Sequence, residues 1–204
     1  MITSQRRAAS ATNGEARDKL LEATARLISG EGLSSVTSRS IARESGENLG
    51  SITYYFGSKD ALISEALAFS ARRLINPVLD RLSDPDVDPV LRMLAAVQML
   101  VELLANNTDQ LPAYAQSLAT AATRPGQGAE VQRLHSDLRK LLAVGIEAQV
   151  AAGQLPNWIR ADQMASLIVS LVNGVALSVA IQPDEVDVPA VATQFGQLLI
   201  AARN

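Results

Sequence analysis

The sequence contains no cysteine and a single histidine among 204 residues. The first absence excludes a disulfide framework, a thiolate zinc site, an iron–sulfur cluster and a cysteine nucleophile. It also suits a reducing compartment. The second excludes metal sites built on two or three imidazoles. Aromatic residues amount to only 3% and charged residues to 19%. No G-x-S-x-G elbow and no Walker loop is present. Gly126-Gln127-Gly128 lacks a third glycine and follows Arg-Pro instead of a strand, so it is no dinucleotide fingerprint. These gaps argue against an enzyme, and no cofactor or metal is expected. Arg6 and Arg7 are not followed by an apolar run, so the N-terminus does not read as a signal peptide. Residues 1–13 read as a disordered basic tail.

What is abundant is apolar. A 48% hydrophobic fraction and a net charge of −3 place the chain among folded proteins with a real core, in one or two domains. MASLIVSLVNGVALSVAI, between Asp162 and Asp184, is nearly long enough to span a bilayer. Ser166, Ser170, Asn173 and Ser178 interrupt it and no basic cluster flanks it, so a buried helix is expected and no membrane. Charge is unevenly distributed. Residues 1–60 carry eight Lys/Arg against seven Asp/Glu, and the remainder ten against fourteen. A slightly basic head thus precedes an acidic body.

Apolar residues recur at three and four, which predicts an all-α protein of about nine helices. The first runs from Glu15 to Ser29 with Leu20, Ala23, Thr24, Leu27 and Ile28 inward, and stops at Gly30 and Gly32. The second starts after Thr37 as N-cap, with Val36 stapled to Ile41, and ends at Gly46. A third begins at Asn48 and reaches Tyr55. Ser58 caps a longer one carrying Leu62, Ala66 and Phe69. Five more follow, with breaks at 84–89, 106–112, 124–128, 153–158 and 181–189.

A helix, a tight glycine turn and a helix within about twenty residues form a helix-turn-helix pattern. Tyr54, Tyr55 and Phe56 are consecutive. Neighbours on a helix point about 100° apart, so Phe56 can pack inward while at least one tyrosine faces outward. Arg39, Thr37, Ser38 and Lys59 are phosphate-contact types, although solvated charges on an aromatic helix would look the same.

The stretch from Ala16 to Ala68 resembles the DNA-binding domain of the TetR family of transcriptional regulators. The shared features are Gly32 with the apolar residue after it, the Thr37, Arg39, Ile41, Ala42 core, Gly46, and the closing series Tyr55, Phe56, Ser58, Lys59, Leu62. Glu47, Leu49 and Thr53 depart from the family pattern. The resemblance implies that the helix from Asn48 to Tyr55 is the recognition helix. It implies Arg39, Leu49, Thr53 and Tyr55 at base edges, and Thr37, Ser38, Ser51, Tyr54 and Lys59 at phosphates. Leu49 donates no hydrogen bond but fits a thymine methyl. Arg6 and Arg7 form either a minor-groove arm or a plain tail.

In the body, the segment around Asp88–Ala105 is apolar nearly all round, which predicts central burial. Gln98 and Glu102, one turn apart, either pair internally or line a ligand cavity, together with Tyr114, His135 and Trp158. Small residues Ser166, Ser170, Gly174 and Ser178 permit close helix approach. With Val191, Phe195 and Leu198 on the last helix they suit a dimer interface.

The resulting expectation is a tail (1–13), a DNA-binding head (14–60) and a ligand-binding, dimerising body (61–204). By resemblance, this is a cytoplasmic homodimeric repressor that binds a palindromic operator on double-stranded DNA and is released by a small-molecule effector. The alternative, suggested by Leu49 and Thr53, is a helical ligand-binding or interaction module with weak or lost DNA binding.

Overall fold

The computed structural model describes residues 2–201, with side-chain positions for residues 14–197 apart from Val90, Leu94, Pro125 and Gly196. Among the described residues there are nine α-helices, one 3-10 turn and no strand. Helix α1 is Ile2–Glu31, α2 Ser38–Ser45, α3 Leu49–Phe56, α4 Lys59–Ser83 and α5 Pro89–Asn106. Helix α6 is Leu111–Thr123, α7 Pro125–Ala151, α8 Ala161–Ile181 and α9 Val188–Ala201.

Local chemistry sets most boundaries. Thr37 and Ser40 form a reciprocal capping box at the start of α2. Asn48 Oδ1 accepts the Ser51 N–H at 3.0 Å, and Ser58 Oγ accepts the Ala61 N–H at 3.1 Å, so α3 and α4 are capped by the residues before them. Gly46 takes φ +73°, the left-handed conformation that turns α2 sharply into α3.

Two departures follow from local propensity. Helix α1 begins at Ile2, well ahead of the expected Glu15; Ala8, Ala9 and Ala11 are strong helix formers. The break expected over 124–128 shrinks to Arg124, because Pro125 occupies the first position of α7, where a missing N–H costs nothing. The glycines beyond it lie inside the helix. Gly128 is there for space: a Cβ at this position would sit 2.2 Å from the Ala121 Cα, so the end of α6 and the start of α7 meet backbone to backbone.

Two cores result. In the head, Leu20, Leu21, Ala23, Leu27, Ile28, Val36, Ile41 and Ile52 are buried. Thr24 is buried with them, its hydroxyl donating to the Leu20 carbonyl at 2.7 Å. Leu62, Ala66 and Leu67 of α4 and Ala113 of α6 complete this cluster. Each fully buried Leu or Ile stabilises by about 1.5–3 kcal/mol, so the head core draws part of its stability from elements beyond residue 60. Farther along α4, Ala71, Leu74, Ile75, Val78 and Leu82 enter the second core with α5, α6, α7 and α8. Helix α4 is therefore a rod common to head and body.

Helices α5 and α8 are not sealed inside as expected. Leu91 and Val97 on α5 are exposed. Helix α8, the one described helix long and apolar enough to cross a bilayer, buries Ala165, Val169, Ala176 and Val179 but exposes Leu167, Leu177 and Ile181. Sequence hydropathy reports apolar character all round a helix; it does not report that neighbours cover only one side.

Candidate nucleic-acid interface and ligand cleft

The head presents one face of α3 outward. Ile52 is buried, and Tyr55 and Phe56 pack half-buried against the head core. On the opposite side Leu49 is 50% and Tyr54 73% exposed, with Thr53 between them. The Tyr54 and Tyr55 rings meet edge to face at 4.8 Å, so the inner ring props the outer one away from the globule. Thr37 and Asn48 are exposed but already occupied as caps. Ser38 and Ser51 are half-buried. Lys59 is also half-buried, its ammonium donating to the Val36 carbonyl at 3.4 Å and lying 3.9 Å from Asp60. Part of its charge is thus engaged within the protein.

Most other head cations are paired. Arg17 bonds Glu65 and covers the Phe56 ring at 5.2 Å. Lys19 lies 2.8 Å from Glu15, and Arg26 2.9 Å from Glu44. Arg39 and Arg43 are exposed and have no acidic partner among the described residues. They are one turn apart on α2, next to the α3 face. Arg43 was not singled out from the sequence, although its four-residue spacing from Arg39 is a readable signal. Glu47 sits half-buried in the turn, with its backbone N–H donating to Ser45 Oγ at 3.2 Å. The acid is accommodated there without disturbing the turn.

The residues expected at a body pocket do not converge on one. Gln98 and Glu102 are exposed and bonded to each other at 3.1 Å. Their helix lies at the edge of the body and turns them to solvent, which supports the internal pairing and not the cavity. Trp158 is 60% exposed, on the loop between α7 and α8. Tyr114 and His135 are central but spent on each other and on α8. The Tyr114 hydroxyl donates to Asn173 Oδ1 at 2.8 Å and lies 3.2 Å from His135 Nε2. With its one proton given to Asn173, the hydroxyl accepts from His135, which requires the Nε2–H tautomer. Burial, and secondarily the Arg139 charge, lowers the His135 pKa from its ordinary value. Burial raises that of Tyr114.

A different cleft opens in the body between α5, α7, α8 and α9, about 270 Å³ in volume. Leu100, Val101, Ile168, Val172 and Phe195 are among its walls. Val191 and Phe195, expected at a dimer interface, line this cleft within the protomer, where α9 packs on α5. Leu198 lies outside the residues whose side chains are described. Among the described lining residues the one polar side chain is Gln149, 8% exposed as a residue and without a side-chain hydrogen bond among the described residues. Sequence reading passed over it. The available signal was its position in the buried series Leu138, Leu142, Ile146 of α7, where an apolar residue would be the rule. On α8, Ser166, Ser170, Gly174 and Ser178 share the outward face with Leu167, Leu177 and Ile181.

Two family models match. That of bacterial regulatory proteins of the tetR family covers residues 20–66, and that of the BetI-type transcriptional repressor C-terminal region covers residues 89–201. The chain is 29% identical over 175 residues to the HTH-type transcriptional regulator PksA of Bacillus subtilis, spanning 84% of this chain and 82% of that protein. It is 28% identical over 199 residues to the regulator BetI of Burkholderia ambifaria, spanning 91% and 94%. In fold it is similar to a transcriptional regulator of Saccharomonospora viridis solved in complex with choline. The TM-score is 0.73 at 23% identity, over 90% of this chain and 95% of that one.

Proposed function

Because the chain belongs to the TetR family of transcriptional regulators, we propose that it represses as a homodimer, with both heads on a palindromic operator and a small effector in the body releasing the DNA. The observation that carries the reading is the exposed α3 face with Tyr54 at its crest and, beside it, Arg39 and Arg43, which have no acidic partner among the described residues. A short helix of this kind fits the major groove, where side chains read base edges while cations and hydroxyls hold phosphates. Arg39, Leu49 and Thr53 are assigned to bases; Thr37, Ser38, Asn48, Ser51, Tyr54, Lys59 and Arg43 are assigned to the backbone. Tyr55, expected at a base edge, packs half-buried on the head core and is assigned instead to supporting Tyr54 from behind. Leu49 reads by apolar contact, which favours a thymine methyl.

One such helix reads too few base pairs for a genome-scale search, so two heads are needed. The outward face of α8 supports the pairing. It combines Leu167, Leu177 and Ile181 with four small residues and carries no charge between Asp162 and Asp184. A contiguous apolar face of that kind marks an interaction site, and the small residues let a partner helix come close. The soluble regulators of the family work on DNA in the cytoplasm, and that is where we place this one.

Release by an effector requires a ligand that binds the two conformations of the body unequally. Helix α4, common to both cores, provides the mechanical link. The Saccharomonospora protein holds choline. The cleft here offers one aromatic ring, Phe195, and no carboxylate among the described lining residues, which does not suit a quaternary ammonium.

The test is anisotropy-monitored binding to the gene's own upstream DNA at several salt concentrations. The reading expects a steep loss of affinity with salt and a retained preference over random duplex. Binding no better than to random DNA overturns it.

A further inference from the structure

We infer that the cleft between α5, α7, α8 and α9 binds a small uncharged molecule with an aliphatic body and one hydrogen-bonding group, and that Gln149 is the residue that recognises that group. The inference rests on the reading of the body as an effector domain and adds the chemical class of the ligand. Three observations carry it.

The first is size and lining. At about 270 Å³ the cleft lies just below the roughly 300–1,000 Å³ typical of small-molecule pockets, which suits a chain of medium length and excludes a bulky one. Its described walls are aliphatic apart from Phe195, the two thioethers of Met93 and Met164, and Gln149. The second is the absence of charge among those lining residues. A cation or an anion entering such a cleft loses its hydration and gains no counter-charge, so ionised ligands are disfavoured.

The third is Gln149 itself. A carboxamide brings two donors and an acceptor. Here it is more than nine-tenths buried, its side chain makes no hydrogen bond to the described residues, and it lines the cleft. The amide atoms themselves keep access to solvent, and the open space beside them is the cleft that Gln149 lines, so a ligand there can supply their hydrogen bonds. Its backbone is pinned by the Gln154 and Leu155 N–H groups, which donate to the Gln149 carbonyl at 2.9 and 3.3 Å, so the backbone that carries the side chain is fixed at the end of α7. Donor and acceptor together match a primary amide or an alcohol.

The test is isothermal titration calorimetry of the full chain without DNA, with octanamide as probe. The expected result is saturable binding of one octanamide per protomer, with the negative heat-capacity change of apolar burial. Gln149→Leu should bind it about tenfold more weakly, the loss of one hydrogen-bonded contact. Ala192→Phe, which fills the cleft from α9, should abolish binding. Octyltrimethylammonium, with the same chain and a charged head, should bind at least about tenfold more weakly than octanamide. Circular dichroism and melting of both variants verify folding; should Ala192→Phe fail to fold, Gln149→Leu decides. No binding of octanamide, equal affinity in Gln149→Leu, or equal affinity for the ammonium probe overturns the assignment. If operator binding is intact while octanamide does not bind, this inference fails alone. If octanamide binds but leaves the operator complex untouched, the effector role under the preceding heading fails and the site stands.

Discussion

Ser29 of α1 caps a helix that belongs to the body: its Oγ accepts the Ala113 N–H at 3.2 Å, across 84 positions of sequence. Ala113 is the third residue of α6, whose own preceding residue, Gln110, makes no side-chain cap. A donor that every helix leaves open at its start is thus satisfied from the head. Any movement of α6 is felt at α1 through this bond and through the buried Ala113 methyl beside it.

Ser29→Ala should therefore destabilise the chain by about 1 kcal/mol, the usual cost of a lost cap. It should also reduce the factor by which an effector weakens operator binding. Urea denaturation and operator titration with and without ligand give the two quantities. Unchanged stability together with unchanged coupling would show that the bond carries neither load.

Gly128→Ala should cost more than its size suggests. The added methyl meets the Ala121 Cα at 2.2 Å, which no rotamer change relieves, so α6 and α7 must separate. Overpacking of this kind costs about 1–3 kcal/mol. A melting temperature equal to wild type would contradict the backbone contact.

His135 gives the fold a pH dependence whose sign can be stated. Its pKa is lowered in the folded chain by burial and by Arg139, so below about 6.5 the unfolded chain takes up a proton that the folded chain resists. Stability should fall as pH drops through that value toward the depressed folded one, and be independent of this group above it. His135→Gln keeps a donor for Tyr114 and removes the titration. Its melting temperature should decline less between pH 7 and pH 5 than that of wild type. Parallel declines would place the titration elsewhere.

Leu177→Glu introduces a charge on the outward face of α8, where the single chain leaves Leu177 49% exposed. Within one protomer the change should cost under about 0.5 kcal/mol, as surface changes do. In the dimer it buries an unpaired carboxylate. Sedimentation should show monomers, and operator affinity should fall with them. A dimer of wild-type strength would move the interface off α8.

What could be read in advance was what neighbours in sequence decide. Thr37, Asn48 and Ser58 cap the helices they precede, and Leu20, Thr24, Leu27 and Ile28 are buried as their spacing implies. The helix-turn-helix was legible because Gly46, the caps and the core positions all lie within one short stretch. Gln98 and Glu102 were misplaced because their face of α5 is decided by which helices pack on it, and periodicity cannot tell a helix at the edge from one at the centre when both sides are apolar. That Val191 and Phe195 line a cleft facing α5 is likewise set by packing between distant helices. Gln149 went unnoticed because an isolated amide in an apolar series becomes informative only once the cleft it lines is known.

The central claim is that the exposed face of α3 enters the major groove, twice per dimer, beside the exposed Arg39 and Arg43 of α2. The most direct test is the salt dependence of binding to a duplex selected from random sequence, measured for wild type and Arg43→Ala. The expected result is a two-fold symmetric selected site and weaker binding by Arg43→Ala on every duplex, with the slope of log affinity against log salt reduced by about 0.9, the loss of one phosphate contact. An asymmetric or absent consensus, with a slope that Arg43→Ala leaves unchanged, would contradict it.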